Sequence, residues 1–193
     1  MMTTLSTIAD LSSGYPFRKK VESEEGGDVV LVQIRGLDGA EGVSGAQSVA
    51  LRNDGGKYTR YLLQQGDLLF QSRGSRHPVA IVEAGIRGIA ATGLHTIRPD
   101  RERVLPAYLA WWLNHPASQA KLQGELARGT YVPFVSLRDL AQFRVPIPSL
   151  ALQGDIAEIE LLRRRERELS IHLIELTEQL VNNVTLRAVT RNK

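Results

Sequence analysis

The residues with the most usable chemistry lie in two basic runs. Gln71-Ser72-Arg73-Gly74-Ser75-Arg76-His77 follows an apolar stretch and packs two arginines, a glutamine and a histidine into one turn. Arg52, Lys57, Tyr58 and Arg60 make a second cluster upstream. An arginine fork fits the O6/N7 edge of guanine, a glutamine amide fits adenine, and all of these groups can hold phosphate oxygens. Arg52, Lys57, Arg60, Arg73, Arg76 and His77 are therefore the candidate nucleic-acid contacts. The chemistry they offer is recognition of a polyanion, not bond making.

Nothing else in the chain supports catalysis. There is no cysteine, so disulfides, thiolate metal sites and a cysteine nucleophile are excluded. The four histidines, His77, His95, His115 and His172, lie far apart without metal-ligand spacing. The chain has no Gly-x-Ser-x-Gly elbow and no Walker loop, and the glycines from Gly39 to Gly45 lack the dinucleotide fingerprint. Pro99-Asp100-Arg101-Glu102-Arg103 resembles a nuclease carboxylate pair only superficially, because the catalytic lysine is missing. The expectation is no catalytic residue, no metal and no cofactor.

Length and composition suit a globular body. A chain of 193 residues with 42% hydrophobic and 23% charged residues can bury a real core. No apolar run approaches the ~18–20 residues of a membrane span, and the start MMTTLSTIADLSS is not a signal peptide, so an intracellular, cytoplasmic protein is expected. The net charge is only +3, but it is unevenly spread. Residues 52–103 carry nine Lys/Arg against five Asp/Glu, whereas residues 1–51 carry four against seven. The positive excess thus surrounds the two basic clusters, as a polyanion-binding face would require.

Those clusters must be positioned by strands. Val29-Val30-Leu31-Val32-Gln33-Ile34 reads as a buried strand, and Gln65-Gly66-Asp67 turns into the apolar strand Leu68-Leu69-Phe70. Val79–Val82 and Ile89–Thr92 continue the strand-rich pattern, while residues 11–17 and 36–56 read as turns and loops. From Pro106 the period becomes helical through Tyr108, Leu109, Trp112 and Leu113, and Asn114-His115-Pro116 breaks it. A second helix is expected over 117–127, stopping at Gly129.

At about Leu150 the character changes. Pro133, Pro146 and Pro148 punctuate the preceding stretch, whereas the rest is proline-free and rich in Glu, Leu, Ile and Arg. One heptad column reads Leu152, Ile159, Glu166, Leu173, Leu180, and the other reads Asp155, Leu162, Leu169, Leu176, Asn183, with Ile156 alongside. A rod of about 45–50 Å with such a seam wants a partner helix. Ile156, Ile159, Leu162, Leu169, Leu173, Leu176 and Leu180 form the expected interface, and Glu166 is a polar break that can fix register. The expected fold is α+β: a mixed body over 1–149, a long coiled-coil helix over 150–185 and a tail over 186–193.

The order of these pieces resembles the specificity subunit of type I restriction–modification systems. The matching residues are Gly66-Asp67-Leu68-Leu69-Phe70, Arg73-Gly74, Pro106-x-Tyr108-Leu109, Leu113-Asn114, Gly129-Thr130-x-x-Pro133-x-x-Ser136, Leu140, Val145-Pro146-Ile147-Pro148 and Gln153-x-x-Ile156. The family's usual second proline and acidic residue near Ser149 and Leu152 are absent. The resemblance implies a target recognition domain that reads a DNA half-site, followed by a conserved helix that spaces two such domains. It implies double-stranded DNA, an adenine methyltransferase subunit and a restriction–translocase subunit as partners, with all catalysis residing in them. One recognition domain and one helix amount to half of the usual subunit, so a homodimer reading an inverted repeat is expected. The competing expectation is a coiled-coil interaction module that assembles or inhibits another complex without reading DNA.

Overall fold

A computed structural model describes residues 1–17, 23, 25–33, 49–126 and 132–190. The expected loop over 36–48, the expected helix end at 127 and the Gly129-Thr130 step lie outside the described residues.

The described residues form fourteen α-helices and β-strands, all but the last lying wholly before Leu150. They are β1 (Met2–Thr4), α1 (Leu5–Ile8), β2 (Ala9–Ser13), β3 (Val29–Val32), β4 (Val49–Leu51), β5 (Leu68–Gln71), β6 (Val79–Ile81), β7 (Gly88–Ala90), β8 (Leu94–Pro99), α2 (Pro106–Asn114), α3 (Pro116–Lys121), α4 (Leu137–Ala141), β9 (Arg144–Pro146) and α5 (Leu150–Thr190). The α+β expectation holds. A four-stranded antiparallel sheet runs β2-β8-β5-β6, a three-stranded sheet runs β4-β3-β7 with β3 and β7 parallel, and β1 pairs with β9.

The apolar run Leu68-Leu69-Phe70 forms β5 because both of its faces are covered, and all three residues are buried. Leu68 sits opposite Ile97 and Phe70 opposite His95 across the β5/β8 ladder. The turn before β5 needs Gly66, whose φ is +87°, and Asp67 accepts the Gln64 N–H at 2.8 Å. Asp67 itself is buried and grips Arg98 with two hydrogen bonds, of 2.8 and 2.7 Å. Gly14 is needed for a different reason: a Cβ there would lie 2.1 Å from the Ala91 carbonyl oxygen.

β6 is a sheet edge, and two side-chain amides close it. Asn114 accepts from the Val79 N–H at 2.9 Å and donates to the Val79 carbonyl at 2.8 Å. Gln119 does the same for His77, at 3.1 and 2.8 Å. Together they substitute for a further strand and satisfy backbone groups that would otherwise offer a template for pairing.

Several boundaries differ from expectation. β2 begins at Ala9 and runs into the segment 11–17 read as a turn, β4 lies within the segment 36–56 read as loops, and β8 was not expected. α3 spans Pro116–Lys121 and passes into a π turn, Leu122–Leu126, so the helix expected over 117–127 changes its winding partway. The strand expected over 89–92 ends at Ala90, with Thr92-Gly93 turning back into β8. The long helix starts at Leu150 and continues to Thr190, past the expected end at 185, because no glycine or proline follows Gly154 within it.

The chain divides into two compact units, Met1–Gly154 and Asp155–Lys193. Within the first, the opening turn of α5 is fastened by Gln153, which is fully buried. Its Oε1 accepts from the Leu105 N–H at 2.9 Å, and its Nε2 donates to the carbonyls of Arg103 and Pro148 at 3.2 and 3.0 Å. Among the described residues no helix is long and apolar enough to cross a membrane.

Candidate nucleic-acid interface

The upstream cluster grows out of the end of β4. Asn53 donates its N–H to Asp28 at 2.9 Å, and its side-chain oxygen accepts from the Tyr58 N–H at 2.7 Å, which folds residues 53–58 into a tight turn. The Asn53 N–H, with Arg87 and Arg52 close by, holds the Asp28 carboxyl below the usual range. The 3-10 turn Thr59–Tyr61 then presents Arg60 and Tyr61.

Two cations of this cluster, Lys57 and Arg60, rest on aromatic rings. Tyr15 meets Tyr58 and Tyr61 edge-on at 5.1 and 5.0 Å, and Phe17 tilts against Tyr15 at 4.7 Å. Lys57 Nζ stands 4.9 Å from the Tyr58 ring centroid, and the Arg60 guanidinium stands 4.8 Å from that of Tyr61 while donating to its hydroxyl at 2.8 Å. Lys57, Arg60 and Arg52 are exposed. Arg60 and Tyr61 also line a cleft of about 210 Å³ with Ser12, Ser13, Thr96 and Arg98. The repeated basic–aromatic step in Lys57-Tyr58-Thr59-Arg60-Tyr61 was the available local signal for these rings; that of Tyr15 and Phe17 was not local.

The second cluster is the turn between β5 and β6. Gly74 has a φ of +120°, and Gln71 donates its side-chain amide to the Arg73 carbonyl at 2.7 Å, so that glutamine braces the loop. Arg73 and Arg76 are exposed. The Arg73 guanidinium lies 5.4 Å from the centroid of the Phe134 ring.

His77 does not belong with them. It is fully buried, stacked parallel on Phe70 at 5.5 Å, with Nδ1 donating to the Gln71 carbonyl at 2.8 Å. The turn ends at Arg76, and Gln119 draws residue 77 into the sheet edge. Burial pushes the imidazole pKa below its ordinary value. His95 stacks on the other side of Phe70 at 6.2 Å and donates to the Val135 carbonyl at 3.1 Å, and burial lowers its pKa as well. His77 is thus a packing histidine, and the contact expected of it is withdrawn.

The expected interface residues of α5 are displayed rather than packed. Ile159, Leu162, Leu169, Leu173, Leu176 and Leu180 are between 48% and 66% exposed, and Ile156 is half-buried. Glu160 forms hydrogen-bonded ion pairs with Arg163 at 2.7 Å and Arg164 at 3.2 Å, which places those arginines along the helix rather than across it. Among the described residues no group of three or more His, Asp or Glu is arranged to hold a metal ion.

No curated protein matches the chain in sequence. Solved structures share its fold. The type I restriction–modification S subunit from M. genitalium aligns with a TM-score of 0.62 at 15% identity, over 93% of this chain and 42% of that one. The HsdS subunit from Thermoanaerobacter tengcongensis gives 0.57 at 17% identity, over 88% and 38%. A chain from a structure describing complex assembly and conformational transition of the type I restriction–modification system gives 0.63 at 16% identity, over 88% and 39%. The chain therefore spans less than half the length of each of these. The family described as type I restriction modification DNA specificity domain matches residues 1–164, most of the chain, and the chain belongs to that family.

Proposed function

We propose that this chain is a non-catalytic specificity element that reads one half-site of a bipartite DNA target. Arg52, Lys57, Arg60, Arg73 and Arg76 make the contacts, those on the edges of bases reading sequence and those on phosphates fixing register. α5 pairs with the same helix of a second copy through Ile156, Ile159, Leu162, Leu169, Leu173, Leu176 and Leu180, with Glu166 setting the register. Two identical readers held at a fixed spacing then select an inverted repeat with an uncontacted spacer. Methyl transfer, and any cleavage, belong to methyltransferase and restriction–translocase subunits that dock on the assembly.

The observation that carries this reading is the exposed pair of basic clusters on the body of a chain in a DNA specificity family. The exposed seam of α5 also suits the competing function, a helix that assembles or inhibits another complex without touching DNA. Binding to random-sequence duplex DNA, measured against salt, separates the two. Phosphate neutralisation predicts a steep linear fall of log K with log salt, at about 0.9 per phosphate contacted. Little binding at any salt would leave only the interaction module.

A further inference from the structure

The segment Pro133-Phe134-Val135-Ser136 has no part in the function proposed so far, yet it is tied to the basic turn on both sides. Gly74 donates its N–H to the Pro133 carbonyl at 3.0 Å, and Val135 donates to the Ser72 carbonyl at 2.9 Å, so that Arg73 and Phe134 face each other as an antiparallel bridge. The segment is itself anchored. His95 donates to the Val135 carbonyl, and Ser136 caps α4 by accepting from the Asp139 N–H at 3.1 Å. Phe134 also meets the His95 ring at 6.3 Å in a T-shaped contact. The face it turns to the surface therefore has a fixed place, and the Arg73 guanidinium lies over it.

We infer that Phe134 is a positioning residue for Arg73 in DNA binding, an inference that rests on the function proposed above. An exposed arginine has a large rotamer entropy to lose when it grips a phosphate or a base edge. A guanidinium resting on an aromatic face has already lost much of that freedom. A guanidinium held this way can keep its in-plane N–H donors available to a ligand. The two bridging hydrogen bonds fix the backbone of the turn, and the ring fixes the side chain. The segment that appeared only as a Pro-x-x-Ser spacing thus becomes the brace of the reading loop.

A double-mutant cycle on the full chain tests this, with random-sequence duplex DNA as the probe and low salt throughout. Thermal melts of every variant give the folded fraction, and affinities are referred to folded protein. Phe134→Leu, which keeps apolar volume but removes the π face, should weaken binding about two- to fivefold. Phe134→Tyr should bind like the parent chain. In an Arg73→Ala background Phe134→Leu should change nothing further, because the side chain it positions is gone. Equal weakening in both backgrounds would mean that Phe134 serves the fold alone and would overturn the inference, as would unchanged binding by Phe134→Leu with Arg73 present. If Arg73→Ala binds as well as the parent, Arg73 is no contact and the inference falls while the DNA reading stands. A parent chain that binds no duplex overturns both.

Discussion

The two units treat the same side chains in opposite ways. In the body, Leu68, Leu69, Phe70, Ile97, Leu109 and Leu113 are lost from solvent. On α5, every leucine, isoleucine and valine from Ile159 to Val189 remains at least 48% exposed. The body closes its sheet edge with Asn114 and Gln119 and leaves few polar groups unsatisfied, whereas the helix is supported along its own length by propensity and by short pairs such as Glu160 with Arg163. Such pairs are worth only about 0.3–0.5 kcal/mol each. The difference teaches that the body closes its apolar surface on itself, whereas the helix leaves its own apolar surface open.

Breaking the seam should produce the largest effect. Leu169→Glu with Leu173→Glu removes two apolar side chains from each copy, and burying a leucine contributes about 1.5–3 kcal/mol. The proposed dimer should therefore lose on the order of 6 kcal/mol or more, some four decades in its dissociation constant. Multi-angle light scattering should show a dimer become a monomer, while the melting of the body is unchanged. Persistence of the dimer in the double variant would remove the seam from the proposal.

Gln153→Ala addresses the other side of the comparison. It leaves the Leu105 N–H and the carbonyls of Arg103 and Pro148 without their side-chain partners, at about 2–4 kcal/mol in total. The melting temperature of the body should fall by roughly 5–10 °C, and by the same amount at every protein concentration. A fall that shrinks as concentration rises would instead mean that the body too is stabilised by association.

How much of this was legible in the sequence follows the same division. The start of α5 was readable because Pro146 and Pro148 close one region and a proline-free run of helix formers opens the next. β5 was readable because its apolar run is unbroken. β8 was not, because His95, Thr96 and Arg98 interrupt it, and the partners that let two of them sit there are distant in sequence: Val135 for the buried His95 and Asp67 for the half-buried Arg98. His77 was misplaced for the same reason, since the glutamine that clamps it is 42 residues away. The bridge from Arg73 to Phe134 had no local signal at all. Among the candidate contacts, the Tyr58 and Tyr61 rings adjoin Lys57 and Arg60 in the sequence, whereas Phe134 reaches Arg73 only through folding.

The smallest effect separates the two units by pH. His77 and His95 are held neutral by burial on either side of Phe70, with pKa values below the ordinary imidazole value of about 6.5. As pH falls through 6.5 the unfolded chain takes up protons that the native body refuses, so the body loses stability from there down to the depressed native values. Glu160 on the helix is also shifted downward, chiefly by its hydrogen bond from Arg163, but from an ordinary carboxylate value near 4.5. Its contribution is complete above that pH and lost only as pH falls through its depressed pKa. Fluorescence of Trp111 and Trp112, which reports the body alone, should therefore show a melting temperature that declines between neutral pH and pH about 5, before the helix loses its ion pairs. Replacing His77 by Asn keeps a donor for the Gln71 carbonyl and removes one titrating ring, so the decline should become shallower. An unchanged slope in His77→Asn would mean that the acid sensitivity of the body arises elsewhere.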